Sequence, residues 1–107
     1  MDTIHAESTP PGRGGITVVR VSGDRARVVA EDLAGALPAA RFSYLRALRD
    51  GDRLIDRALV VRFEAGASFT GEDVVEFHLH GAPIVARLLQ AALLARGSRP
   101  ALPGEFT

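Results

Sequence analysis

The sequence has 107 residues, of which 47% are hydrophobic, and its thirteen basic and thirteen acidic residues give a net charge of zero. This length supports one globular domain with one core, and the balanced charge argues against bulk electrostatic binding to nucleic acid or to an anionic membrane. There is no cysteine, and all thirteen basic residues are arginine. The chain therefore lacks the residues for a disulfide scaffold, a thiolate zinc site, a cysteine nucleophile, a Schiff-base lysine or the lysine of a P-loop.

No stretch approaches the length of a membrane span, and the N-terminus lacks the basic and apolar blocks of a signal peptide. We therefore expect a cytoplasmic protein with no membrane contact. The final residues, Glu105-Phe106-Thr107, carry no helix cap or polar tail, which suggests a chain truncated from a longer protein.

The first part of the chain predicts two strands joined by a loop. Residues 1–4 are expected to form an edge strand, and the β-branched run from Ile16 to Val21 a buried one. The loop from Thr9 to Gly15 combines prolines with glycines, so it either folds over a ligand, with Arg13 reaching an anion, or simply connects the strands.

The middle of the chain predicts a helix and a hairpin. Ser22-Gly23-Asp24 offers capping oxygens for a helix that runs to about Gly35. Residues 41–48 and 54–63 read as antiparallel strands around a turn at Asp50-Gly51-Asp52. In the second of these strands Leu59, Val61 and Phe63 share one face, and Arg62 points away without an assigned role.

Polar chemistry concentrates between Ser68 and Pro83. A loop from Phe69 to Asp73 leads into a strand in which Val75, Phe77 and Leu79 alternate with Glu76, His78 and His80. Pro83 then suits the first turn of a helix that extends to about Arg96 and ends at Gly97. Ser68 does not lie in a nucleophile elbow, so we predict no catalytic residue in this stretch.

Glu76, His78 and His80 have the ligand chemistry of a metal site. However, residues two apart on a strand are about 7 Å apart along the backbone, which hinders convergence on one ion. We therefore predict no metal, and the sequence leaves the roles of His78 and His80 open between a polar strand face and an interface.

Arg20 and Glu76 are charged residues inside otherwise apolar strands. They either neutralise each other as a structural ion pair or face a cavity and bind a polar heterocycle. A carboxylate pairs with two adjacent N–H donors, and a guanidinium pairs with carbonyls or carboxylates. Arg20 alone could also lie at a strand end and reach water.

The predicted order, β-β-α-β-β-β-α, indicates an α+β domain with a mainly antiparallel sheet and helices packed on one face.

Several motifs together resemble one family. They are Asp2-Thr3-Ile4, Thr9-Pro10-Pro11-Gly12-Arg13-Gly14-Gly15, Val19-Arg20-Val21-Ser22-Gly23, Ser68-Phe69-Thr70-Gly71-Glu72-Asp73-Val74-Val75-Glu76, His80-Gly81 with Pro83, and Pro103-Gly104-Glu105-Phe106-Thr107. In order and spacing they resemble the N-terminal domain of the tRNA-modification GTPases MnmE, also called TrmE. The resemblance covers residues 1–107 and implies a chain that ends before the helical and GTPase domains.

The resemblance also implies a fold relationship, a ligand and an oligomeric state, none of which the hydrophobic periodicity predicts. The family's domain is related in fold to the folate-binding domain of the glycine-cleavage T-protein, forms a homodimer and binds 5-formyltetrahydrofolate. GTP, magnesium and potassium belong to the GTPase domain, which this chain lacks. With an MnmG-like flavoprotein partner the full-length protein modifies the wobble uridine of tRNA, with the folate as one-carbon source.

By the same resemblance, the folate contacts fall on Arg20 and Glu76, and a further contact, a lysine, lies downstream of residue 107. Two departures from the family pattern are visible. Phe63-Glu64-Ala65-Gly66 lacks the usual prolines, and Ala82 replaces a glycine before Pro83.

Two other functions remain open. The chain could be a stand-alone one-carbon transfer protein of the T-protein type, which requires a positioned acid or base such as Asp73 or His78. Alternatively, it could be an assembly module in which Arg20 and Glu76 bind only each other.

Overall fold

The computed structural model describes residues 2–8, 15–64 and 72–106. Its elements in chain order are β1 (Ile4–Glu7), β2 (Ile16–Ser22), α1 (Ala26–Ala34), β3 (Ser43–Asp50), β4 (Arg53–Phe63), β5 (Val74–His80), α2 (Pro83–Ala95) and β6 (Arg99–Pro100). Within these residues the domain is α+β, as the sequence predicts. Neither helix is long and apolar enough to cross a membrane.

The described strands form one sheet in the order β3-β4-β5-β2-β1-β6. Every neighbouring pair is antiparallel except β1 and β6, which are parallel, so the sheet is mixed and the expected "mainly antiparallel" arrangement is approximately right. The two-residue β6 has no counterpart in the predicted order. Because β6 lies beside β1, the edge position expected for residues 1–4 is wrong, and β1 begins only at Ile4.

The helix and hairpin predictions are confirmed with small changes at the ends. α2 starts with Pro83 at its first position and ends before Gly97, whose φ of 96° suits glycine. Gly51, with φ of 61°, forms the turn between β3 and β4. The N-cap of α1 differs from the prediction: it is Arg25, which makes no side-chain cap and whose backbone N–H donates to Thr3 Oγ1 at 3.1 Å.

Gly23 joins β2 to α1 at a point where the chain start packs closely. Its φ is 136°, and a Cβ at this position would lie 2.7 Å from the Cα of Thr3. Only glycine, which has no Cβ, allows the two backbones to lie this close, which explains why Gly23 follows Ser22.

Both helices pack on the same face of the sheet, which we call the covered face. The core holds Val19 and Val21 of β2, Phe77 of β5, and apolar residues of α1 and α2, all 6% exposed or less. The alternation of β5 therefore predicts its buried side correctly. On β4 the buried side is not the side of Leu59, Val61 and Phe63. Val60 and Arg62 instead point to the covered face, and Leu59 is 45% exposed.

Candidate ligand site on the open face of the sheet

No helix within the described residues covers the second face of the sheet, which we call the open face. It carries the polar side chains that the sequence singled out together with several exposed apolar ones. Its central residues are Ile16, Val18 and Arg20 of β2, Glu76 and His78 of β5, Leu59 and Val61 of β4, and Leu45 of β3.

Arg20 and Glu76 lie directly opposite each other in β2 and β5. The Nε and Nη2 groups of Arg20 both donate to Oε2 of Glu76, at 2.9 and 2.5 Å. The two side chains keep 25% and 15% of their surface exposed. The sequence left open whether these charges pair with each other or reach outward. The structure shows that they pair and that the pair stays accessible from the open face.

His78 extends this pair by one further contact. Its Nε2 lies 3.2 Å from Oε1 of Glu76, the carboxylate oxygen that Arg20 leaves free. The ring is 31% exposed. Because an ionised carboxylate only accepts hydrogen bonds, Nε2 must carry the proton in this contact. The three side chains thus form a line across two neighbouring strands.

His80 does not join this line. Its Nδ1 lies 2.8 Å from Oδ1 of Asp56, and its backbone N–H donates to the other oxygen of Asp56 at 2.9 Å. The side chain is 73% exposed, so its main effect is to tie the end of β5 to β4. Among the described residues no group of three histidine, cysteine or acidic side chains is arranged to hold a metal ion.

Two predicted loops lie mostly outside the described residues. The structure gives no account of residues 9–14, which include Arg13, or of residues 65–71, which include Ser68 and Thr70. Their flanks are described: the backbone N–H of Gly81 donates to the carbonyl of Gly15 at 2.9 Å. Asp73 precedes β5, and its carbonyl accepts from the N–H of Gly23 at 3.0 Å.

A shallow apolar trough adjoins His78. It encloses about 260 Å³ and is lined by residues of four strands, including Ile16 of β2, Leu45 of β3, Leu59 of β4 and His78 of β5. Larger grooves, of about 510 and 520 Å³, lie on the helix side around Arg96. There the guanidinium of Arg96 already binds Asp32 at 2.6 Å and Asp50 at 3.0 Å, so its charge is neutralised within the protein.

The terminal motif has a role that the sequence did not reveal. The carboxylate of Glu105 accepts from Arg99 through two hydrogen bonds of 2.7 and 2.6 Å and from the N–H of Leu102 at 2.5 Å. Arg99 also donates to Asp2 at 2.9 Å. The bonds from Arg99 lower the pKa of Glu105 to about 2. This cluster joins residues near both ends of the chain. Local sequence patterns cannot predict contacts between residues so far apart in sequence.

Comparison with known proteins places these features in a family. Residues 3–107 match the family model described as the N-terminus of the GTP-binding protein TrmE. The chain is 64% identical over 107 residues to the tRNA modification GTPase MnmE of Paracoccus denitrificans, 52% over 107 residues to that of Halorhodospira halophila, and 50% over 106 residues to that of Caulobacter vibrioides. These alignments cover 100%, 99% and 99% of the chain but only 26%, 23% and 24% of the respective relatives.

Proposed function

Because the chain belongs to the family of the TrmE N-terminus, we propose that it is the 5-formyltetrahydrofolate-binding and homodimerising domain of a GTPase that modifies the wobble uridine of tRNA. The relatives named above are tRNA modification GTPases, and the chain spans about a quarter of their length. GTP hydrolysis with magnesium and potassium, and the partnership with an MnmG-like flavoprotein and tRNA, would belong to the remainder of such a protein. In this domain we assign binding rather than catalytic turnover.

The arrangement of Arg20 and Glu76 carries the folate proposal. Both charged groups lie on the one sheet face that no described helix covers, and both remain partly exposed. The pterin ring of a folate offers adjacent N–H donors beside a carbonyl. Glu76 would hold the donor edge, and Arg20 would face the carbonyl side or the carboxylates of the ligand. The donor and acceptor types present on the open face therefore fit this ligand class.

Isothermal titration of 5-formyltetrahydrofolate tests the folate proposal. The ligand is titrated into this chain and, where the gene encodes a longer protein, into that full-length protein. We expect Glu76→Ala to weaken binding at least about tenfold, because loss of a charged hydrogen-bonding partner is typically worth about 1.5–3 kcal/mol. Asp52→Asn is the matched control, since Asp52 is an exposed carboxylate in the hairpin turn. Absence of binding to a folded full-length protein would contradict the proposal and favour the assembly module.

Exposed apolar residues support the homodimer proposal. Ile16, Leu45 and Leu59 are 55%, 73% and 45% exposed and line one trough on the open face. Large apolar side chains grouped on a surface are characteristic of contact regions between proteins. A second copy of the chain would cover them and would place the two Arg20–Glu76 pairs near the shared interface.

Light scattering coupled to size exclusion tests this surface. We expect Leu45→Arg to shift the chain from dimer to monomer, because a charge would be buried at the interface without a partner. Leu94→Arg is the control: Leu94 is 56% exposed but belongs to α2, on the other side of the sheet. A Leu45→Arg protein that remains dimeric would show that the open face is not the interface.

A further inference from the structure

The Glu76 carboxylate is nearly saturated by its own neighbours. An ionised carboxylate offers about four lone-pair positions and no donor. Arg20 uses two of them on Oε2, and His78 uses a third on Oε1. A ligand that presents two adjacent N–H donors needs two positions, and the described contacts leave about one. Binding therefore requires that one of the existing hydrogen bonds be released.

The bond to His78 is the weaker of the two attachments. It is 3.2 Å long, whereas the Arg20 bonds are 2.9 and 2.5 Å and join two opposite charges. Charge-assisted bonds are shorter and roughly twice as strong as neutral ones. His78 also has space to move, because it lines the 260 Å³ trough. Its ring can leave Glu76 without disturbing the core, since its side chain is 31% exposed.

We propose that His78 is an internal competitor for the ligand-binding carboxylate of Glu76, so that ligand binding requires its displacement and weakens when His78 is protonated. This inference rests on the folate-binding function proposed above and adds a positioning residue and a pH response to that site. A protonated imidazole forms a charge-assisted bond to Glu76 and competes more strongly than a neutral one. Affinity for the ligand should then fall as the pH decreases.

Other charged groups near His78 affect this response. Glu76 lies on the same strand, Arg57 of β4 lines the same trough, and Arg20 lies opposite Glu76 in β2. His80 is the nearest second titratable imidazole, and it is held by Asp56 instead. Because His80 does not contact Glu76 in the described structure, it provides a matched control.

The test is titration of 5-formyltetrahydrofolate at pH 7.5 and pH 5.5 into the full-length protein and its variants. His78→Leu removes the competitor, so we expect about two- to tenfold tighter binding at pH 7.5, the range that corresponds to one ordinary hydrogen bond. We also expect the variant to lose most of the weakening that the parent shows at pH 5.5. His78→Gln can still donate to Oε1 but does not titrate, so it should bind like the parent at pH 7.5 without that weakening.

The controls separate failure of this inference from failure of the proposed function. His80→Gln should keep the pH response of the parent, and urea unfolding should confirm that each variant is folded. If the parent binds the ligand but His78→Leu binds no more tightly, or keeps the full pH response, the competitor role is wrong and the folate site stands. If neither parent nor variants bind at either pH, the proposed function is wrong and the inference is overturned with it.

A second measurement does not depend on the ligand. Nitrogen chemical shifts of the His78 ring report which nitrogen carries the proton. We expect the Nε2–H form in the neutral parent, and its excess over the Nδ1–H form should be smaller in Glu76→Ala, which removes the acceptor. An Nδ1–H ring in the parent would contradict the competitor role, because that ring has no proton to donate to Glu76.

Discussion

The covered and open faces of the sheet are built from the same strands but differ in what their side chains do. On the covered face Val19, Val21 and Phe77 are fully buried against the helices. On the open face their neighbours in sequence, Arg20 and Glu76, form a solvent-accessible ion pair. Strand alternation thus lets one short segment supply both a core and a site. A rigid, packed layer beneath the pair fixes the two backbones that position it.

Each face also contains exceptions to its general character. The covered face buries Arg62, which is 4% exposed and donates to the carbonyl of Pro38 at 3.1 Å, while its Nε has no partner in the described structure. It also buries His5, whose Nδ1 lies 2.7 Å from Ser98 Oγ. The open face leaves Leu45 73% exposed. Because these residues break the simple division between core and site, they offer ways to test it.

Leu48 and Leu45 belong to the same strand and point to opposite faces. Leu48 is fully buried on the covered face. We expect Leu48→Ala to lower the free energy of unfolding by about 2–5 kcal/mol, because it removes buried methyl groups and leaves a cavity. Urea unfolding followed by circular dichroism measures this loss. A cost below about 1 kcal/mol would mean that the edge of the core at β3 is much looser than the burial of Leu48 indicates.

His5 should make the covered face sensitive to acid. Burial lowers the pKa of His5 below its ordinary value. The unfolded chain therefore takes up this proton at a higher pH than the folded chain does, and stability falls as the pH decreases below about 6.5. The slope contributed by one such group is at most about 1.4 kcal/mol per pH unit.

We expect His5→Gln to remove part of the decrease in unfolding free energy between pH 7 and pH 5. His80→Gln serves as the control, because it removes an exposed imidazole outside the core. Urea unfolding at constant ionic strength provides the comparison. If His5→Gln shows the same pH dependence as the parent, the acid sensitivity has another source.

The smallest effect is expected on the open face. Leu45→Ala should change the free energy of unfolding by about 0.5 kcal/mol or less, because a largely exposed side chain gains little from folding. The measurement must be made at a protein concentration at which the chain is monomeric, since a dimer would bury this residue. A loss comparable to that of Leu48→Ala would show that the open face is packed against something in the isolated chain.

The sequence predicted the elements whose signals are local. The alternation through Val75, Phe77 and Leu79 identified β5 and its buried side, Pro83 and Gly97 marked the ends of α2, and Gly51 marked the hairpin. These signals arise within a few residues, where φ preferences and side-chain periodicity act directly. The two isolated charges, Arg20 and Glu76, were also recognisable because charges are rare in apolar strands. Their function as ligand contacts remains a prediction.

Only the tertiary structure decided which partners these residues meet. The orientation of β4, which turns Arg62 inward, depends on the face to which the helices dock, and the pattern of β4 alone is apolar on both sides. The parallel pairing of β6 with β1 joins residues more than ninety positions apart. The contacts of His80 with Asp56 and of Glu105 with Arg99 likewise depend on chain reversals that no local pattern specifies. Strand register placed Arg20 opposite Glu76, and His78 follows two residues later on the same face, so Arg20 and His78 contact different oxygens of the Glu76 carboxylate.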